Sequence, residues 1–291
     1  MAPAHGRHPL RLAIAMHCSL SRATTDFYSA GIMRGIQIGL AEKRFEATVS
    51  FIETWSAEEL AQMMGKSVSG VLLVAPHESR LSEIESLAKL PMPTVVVGSS
   101  WPTSHVPTVD SDNFQGMEAA LASLLQMGHT KIACIYAWPE LSNHRDRLRA
   151  FRLFMARQQL VVKGDWIAEA TPDEEYGKPL HCPSLRTLLG AANRPTAIMA
   201  TDYQIVPLLV HAAEAADLNI PDDLSIITFD DPFPMMNVKW PLTTVDQPLT
   251  EMGKTAVGNL IALCKNPMAG SDSMLQMTLN MRQSCAPPRE K

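Results

Sequence analysis

The chain has 291 residues, 46% of them apolar and 19% charged, with a formal net charge of −5. These figures fit one large globular domain or two of ordinary size and exclude a disordered chain. They also argue against nucleic-acid binding by this polypeptide alone, because DNA-binding modules are usually basic on one face and nothing here clusters Lys and Arg to that degree.

Five cysteines (Cys18, Cys134, Cys182, Cys264, Cys285) are odd in number, with no CxxC and no His pair at zinc spacing. That pattern predicts reduced, buried thiols in a cytoplasmic protein. The first nine residues are basic and Pro-containing and read as a tail. The apolar run Leu12–Met16 is too short for a signal-peptide core or a membrane span.

Strand and helix patterns then alternate along the chain. A strand over 11–16 leads into a polar loop from His17 to Asp26, and a helix over 27–42 buries Ile32, Ile36, Gly39 and Leu40. Strands over 47–52, 70–74 and 94–97 alternate with helices over 57–64 and 79–88. After an extended piece ending at Val109 comes a helix over 113–127, stopped by Gly128, and a sixth strand over 131–136. A second set follows: a helix over 144–159, a strand over 165–170 and a helix over 184–189. The stretch 193–231 then reads as strand, capped helix, strand, which in a parallel sheet is a right-handed crossover. A helix over 249–263 and an alternating strand over 273–282 complete the pattern. Two α/β lobes with parallel sheets are the natural assembly.

In such sheets ligands bind beyond the carboxyl ends of the strands. Thr201-Asp202 and Asp230-Asp231 stand at two of those ends, and Ser99, Trp101 and Asp112 at others. Adjacent residues point in different directions, so Asp230-Asp231 reads as one ligand-facing and one structural carboxylate rather than a catalytic pair. Phe27 and Tyr28 open the first helix and Trp138 follows the sixth strand; aromatic faces there suit a sugar or base, or ordinary packing. His129 follows a helix end on the other side of the sheet and reads as structural. Motifs for a nucleophile elbow, a P-loop, a dinucleotide-binding turn or a zinc protease are absent, so no catalytic residue, metal ligand or cofactor is assigned.

Four stretches carry a family resemblance: RPTAIMATD with ADLNIPDDLSIITFDD, VDSDNFQG at 109–116, MGHTKIA at 127–133, and PLTTVDQP at 241–248. In order and spacing they resemble the effector domain of the lactose-repressor/galactose-repressor (LacI/GalR) family of bacterial transcription regulators, over roughly residues 10 to 285. The resemblance implies a type I periplasmic-binding-protein fold with two Rossmann-like lobes. The expected lobes are 10–136 with 247–267, and 137–246 with 268–285, flanked by tails at 1–9 and 286–291. Chain crossings near 137, 246 and 268 would border a ligand cleft. Arg147 aligns with the family's arginine at the cleft wall, and Asp230 with its ligand-contacting aspartate. Thr201 stands where sugar-binding members often have Asn, in a loop that reads one residue shorter.

By this resemblance the chain is the effector-sensing domain of a cytoplasmic regulator, taking a small polar molecule, a sugar or sugar derivative, and shifting an attached head between DNA-binding and non-binding arrangements. DNA is expected to be bound only through a helix-turn-helix or winged-helix head, here expected to be missing; the 112–116 and 281–285 stretches lean toward the winged-helix subset. A homodimer is expected through Val68–Ala88 and the 248–263 helix, since regulators of this kind read two half-sites. The rival from another class is a solute-binding protein of a transport system; an α/β enzyme is the weakest alternative.

Overall fold

The computed structural model describes residues 10–16, 26–43, 47–52, 55–63, 68–101, 105–172, 180–231 and 239–289. The expected tail at 1–9, the loop from His17 to Thr25 with Cys18, Met64, and the end of the 286–291 tail lie outside them. The chain divides into two compact units, one of residues 1–111 with 248–275 and one of residues 112–247 with 276–291.

In the first unit, strands β1 (Leu10–Ala15), β2 (Ala47–Ile52), β3 (Gly70–Val74), β4 (Thr94–Val97), β5 (Thr108–Ser111) and β13 (Ser273–Leu275) form one sheet in the order β13-β5-β4-β3-β1-β2. Every pairing in it is parallel. Parallel sheets are covered on both faces, so their strands read as continuous apolar runs. Leu12, Ile14, Leu72, Val74, Val95 and Val97 point to one face. There they meet helices α1 (Phe27–Glu42) and α8 (Leu249–Lys265). Ala13, Ala15, Val71, Leu73 and Val96 point to the other face, toward α2 (Ala57–Met63) and α3 (Leu81–Ala88).

The second unit repeats the plan. Strands β6 (Ile132–Tyr136), β7 (Ile167–Glu169), β10 (Ala197–Ala200), β11 (Ser225–Phe229), β12 (Thr243–Asp246) and β14 (Thr278–Asn280) lie in the order β14-β12-β11-β10-β6-β7. Only β14 runs antiparallel, against β12. Ile132, Cys134, Met199, Ile227 and Phe229 share a core with α4 (Asn113–Gln126) and α5 (Ser142–Arg157). Ala133, Ile135, Ile198, Ala200 and Ile226 share one with α6 (Ser184–Gly190) and α7 (Val206–Ala215). A two-stranded ribbon, β8 (Thr171–Pro172) with β9 (Leu180–His181), stands apart from the sheet. The doubly wound α/β class is as the sequence indicates.

Several boundaries differ from the sequence reading. The first unit ends at Ser111, not near 136, because β6 pairs with β10 and α4 packs on α5. The strand expected over 273–282 is two strands in different sheets, β13 beside β5 and β14 beside β12, with the last unit boundary at 275/276 rather than 267/268. Alternation marks an extended segment but is silent about which sheet receives it. The helix after Thr201-Asp202 opens with a 3₁₀ turn, Tyr203–Ile205, for which Asp202 caps the Gln204 N–H at 2.8 Å. The strand expected over 165–170 begins as a 3₁₀ turn, Gly164–Trp166. Cys134, Cys182, Cys264 and Cys285 are free thiols, and burial pushes Cys134 up to about 12.

Candidate functional site

Helix α5 brings the second unit's site together. Positions three and four apart on a helix share a face, and here His144, Arg147, Leu148 and Phe151 form the buried one. The apolar members anchor the helix to β6, β10 and β11, which sets its first two turns over the carboxyl ends of those strands. Arg147 consequently has no exposed surface at all. Its Nε donates to Asn113 Oδ1 at 2.8 Å and its Nη1 to the Thr201 carbonyl at 2.7 Å. The guanidinium also stacks over the Phe229 ring, 4.0 Å from its centroid.

Asp230 follows Phe229 directly and adopts a left-handed backbone, φ 65°. That conformation is costly for most residues but accessible to Asp. It turns the carboxylate inward, where Oδ2 accepts from Gln247 Nε2 at 2.6 Å and Oδ1 from the Gln247 N–H at 3.2 Å. Burial pushes the Asp230 carboxyl above its ordinary range, and the Arg147 guanidinium opposes that shift. Asp231, by contrast, pairs with Arg282 at 2.8 Å, so the two neighbouring carboxylates have separate roles.

His144 fills the gap beside Arg147. Its Nδ1 lies 3.4 Å from Thr201 Oγ1, its Nε2 3.7 Å from Asp202 Oδ2, and the Trp138 ring meets it edge-on at 5.4 Å. Burial, reinforced by the Arg147 charge, holds this imidazole well below its ordinary pKa, hence neutral. The result is a compact, buried polar cluster that presents both hydrogen-bond donors and acceptors. Among the described residues no three His, Cys, Asp or Glu side chains converge as metal ligands.

Within the first unit, Asp26 caps α1 by accepting the Ser29 N–H, which presents Phe27 and Tyr28 on the opening turn. Tyr28 Oη donates to the Gly98 carbonyl at 3.1 Å, and Ser99 Oγ to the Pro76 carbonyl at 3.2 Å. Both acceptors follow the carboxyl ends of β3 and β4. Trp101 is buried at 4% exposure.

Residues 121–285 match the family described as the periplasmic binding protein-like domain. The chain belongs to that family. Its sequence is similar to the catabolite control protein A of Priestia megaterium, 27% identical over 89% of this chain and 78% of that protein. It is likewise similar to the ribose operon repressor of Haemophilus influenzae, 28% identical over 91% of this chain and 79% of that protein. Among solved structures, the transcriptional regulator CelR–cellobiose complex superposes with a TM-score of 0.78 at 22% identity, covering 94% of this chain and 84% of that one. The LacI/GalR resemblance therefore holds, and the fold is the periplasmic-binding-protein-like α/β fold.

In this periplasmic binding protein-like domain the sequence-derived candidates fall into groups. Trp138, Arg147, Thr201 and Asp230 come together in the second unit. Tyr28 and Ser99 lie at neighbouring strand ends of the first, with Phe27 beside Tyr28 and Trp101 packed in its interior. Asp112 spends Oδ1 on capping α4, accepting the Gln115 N–H at 2.9 Å. Arg147 is interior rather than a surface wall residue, because α5 is drawn down by Leu148, Phe151 and Phe154. Thr201 engages Arg147 through its backbone carbonyl and His144 through its hydroxyl. His129 is structural: its two ring nitrogens sit 2.9 Å from Thr196 Oγ1 and from the Ala286 carbonyl. Asp202, placed at a strand end by the sequence, lies beside His144, whereas His144 itself, Asn113 and Gln247 were not anticipated. His144 was signalled by its three-residue step from Arg147; Asn113 and Gln247 needed the fold.

Proposed function

We propose that this chain is the effector-sensing domain of a LacI/GalR-type transcription regulator whose effector is a small neutral polyol, a sugar or sugar derivative. The observation that carries the proposal is that one cluster of the second unit buries both Arg147, held by Asn113 and the Thr201 carbonyl, and Asp230, held by Gln247, with His144 beside Thr201, in a chain that aligns over most of its length with sugar-operon regulators. A polyol matches such a site because each hydroxyl both donates and accepts, and the site offers a guanidinium donor and a carboxylate acceptor within one cluster. Asp230 and Arg147 are the principal contacts in this account, with Trp138 and Thr201 beside them. Phe27, Tyr28, Ser99, Trp101 and Asp112 remain candidates on the first unit and at the α4 start.

The chain does not work as an enzyme in this account, and it acts in the cytoplasm; no helix among the described residues is long and apolar enough to cross a membrane. DNA contact belongs to a separate head, since the chain is acidic overall. Two half-sites require a two-fold protein. Within the expected Val68–Ala88 stretch β3 is buried inside the sheet, so we place the dimer contact on the exposed face of α3. The α8 helix, expected at the same surface, buries Leu249, Met252, Ala256, Val257, Leu260 and Ile261 within the first unit and offers little apolar area for a partner. A transporter's solute-binding protein is the less favoured alternative, because the similar proteins are regulators.

The test is a thermal-shift screen of pentoses, hexoses and disaccharides against nucleosides and amino acids. A ligand that binds the folded chain stabilises it by RT ln(1 + [L]/Kd), about 2.7 kcal/mol at a hundredfold excess over Kd. A saturable rise in Tm with one sugar class is expected. Stabilisation by amino acids or nucleosides alone would overturn the ligand class.

A further inference from the structure

The amino-terminal ends of the second unit's strands, opposite the Arg147 cluster, enclose a cavity of about 200 Å³ whose lining includes Lys131, Arg194, Asp222, Asp223 and Arg289. Lys131 precedes β6, Arg194 precedes β10 and the two aspartates precede β11, so the parallel sheet itself gathers them. The C-terminal segment closes one side. Ala286 exchanges hydrogen bonds with Ser225 and accepts from His129, which lays Pro288 and Arg289 along the strand ends. The expected tail is thus laced to the sheet as far as Arg289.

The charges are not balanced. Arg289 spends both terminal nitrogens on the carboxylates, 2.7 Å to Asp222 and 3.1 Å to Asp223. Asp223 also accepts the Asn219 N–H and side-chain amide at 3.0 and 3.2 Å, and its carboxyl is held below the ordinary range chiefly by that N–H. Arg194 is only 8% exposed, yet it uses a single nitrogen, Nη1, on the Pro195 and Asp223 carbonyls. Its Nε and Nη2 make no hydrogen bond among the described residues and belong to a side chain that lines the cavity. The Lys131 ammonium forms no ion pair among the described residues either. Three cations and two carboxylates leave one positive charge and at least two guanidinium donors uncommitted. These nitrogens are open to the cavity rather than sealed in the core, and a planar donor pair matches an oxyanion. The carbonyl ties of Nη1 explain how Arg194 joins β10 to the turn before β11; they leave the other donors over.

We infer that this cavity is a second ligand site, which takes a small metabolite through a phosphate or carboxylate group held by Arg194 and Lys131. It is separate from the proposed effector site and does not depend on it.

The experiment titrates the full chain with inorganic phosphate and with acetate against chloride at constant ionic strength, read by calorimetry and thermal unfolding. Saturable binding of one anion or both is expected, and the tighter of the two identifies the group. Lys131→Gln, at an exposed position that carries none of the fold, should weaken it roughly fivefold, the scale of a partly exposed charge contact. Asp222→Asn, which removes a repelling carboxylate and releases Arg289, should tighten it. No saturable binding of either anion, or binding that Lys131→Gln leaves unchanged, would overturn the inference.

Discussion

A guanidinium with no exposed surface is among the most expensive things a fold can hold, and Arg147 is held by Asn113, Thr201, Phe229 and the nearby Asp230 charge. Removing one member of a buried charge pair typically costs about 3 to 5 kcal/mol, because the other is left uncompensated. Arg147→Ala should therefore lower the urea midpoint of the ligand-free chain by that scale, with the slope unchanged; a loss below about 1 kcal/mol would show that the pair is solvated. His144 adds a pH dependence whose sign is fixed. Its folded pKa lies below the unfolded value of about 6.5, so its contribution is complete above that pH and is lost as pH falls toward the lowered folded value. His144→Gln should flatten the stability profile between pH 7 and 5 relative to the parent chain, by chemical denaturation; an unaltered profile would mean the imidazole protonates freely in the fold. At this scale the sequence exposed single residues at strand ends, Asp230 above all. It did not expose their partners, because Asn113 and Gln247 reach the cluster from distant segments.

Helices α1 and α8 show what an element can hide. Gly35 and Gly253 face each other so closely that a methyl on either would run into the other helix's backbone, at Thr250 or at Ile32 and Ile36. The two helices therefore touch main chain to main chain at this crossing. Gly253→Ala should destabilise by roughly 1 to 3 kcal/mol from overpacking, although Ala is the better helix former by about 1 kcal/mol. Thermal unfolding gives the sign, and a stabilised Gly253→Ala would mean that the crossing is loose. The helix itself was legible from Ile32 and Ile36. The glycine spacing Gly31, Gly35, Gly39 was on the page too, but periodicity of apolar residues does not weigh it. Extended segments were legible in the same limited way: the alternation after Ser273 marked strands, yet hydrogen bonding to β5 and to β12 split them between sheets.

Across the whole molecule, each unit buries its own two-faced sheet, and the repeat of strand and helix patterns made that plan readable. Where the chain leaves the first unit was not readable, because β5, α4 and β6 follow one another with unbroken α/β rhythm. Sedimentation at micromolar concentration should show a dimer that dissociates on introducing charge at the exposed Ser82 or Ser86 of α3; a monomeric parent chain would remove the dimer from the account. Duplex DNA should not be retarded by this polypeptide at ~150 mM salt, since counterion release needs a basic face. The central claim, that the Arg147–Asp230 cluster receives the effector, is tested most directly by calorimetric titration of the sugar found in the screen into the parent chain, Asp230→Asn and His129→Ala. The account predicts at least roughly 30-fold weaker binding for Asp230→Asn, the ~2 kcal/mol of a buried charged hydrogen bond, and parental affinity for His129→Ala. Parental affinity in Asp230→Asn with binding lost in His129→Ala would contradict it, placing the effector at the other end of the sheet.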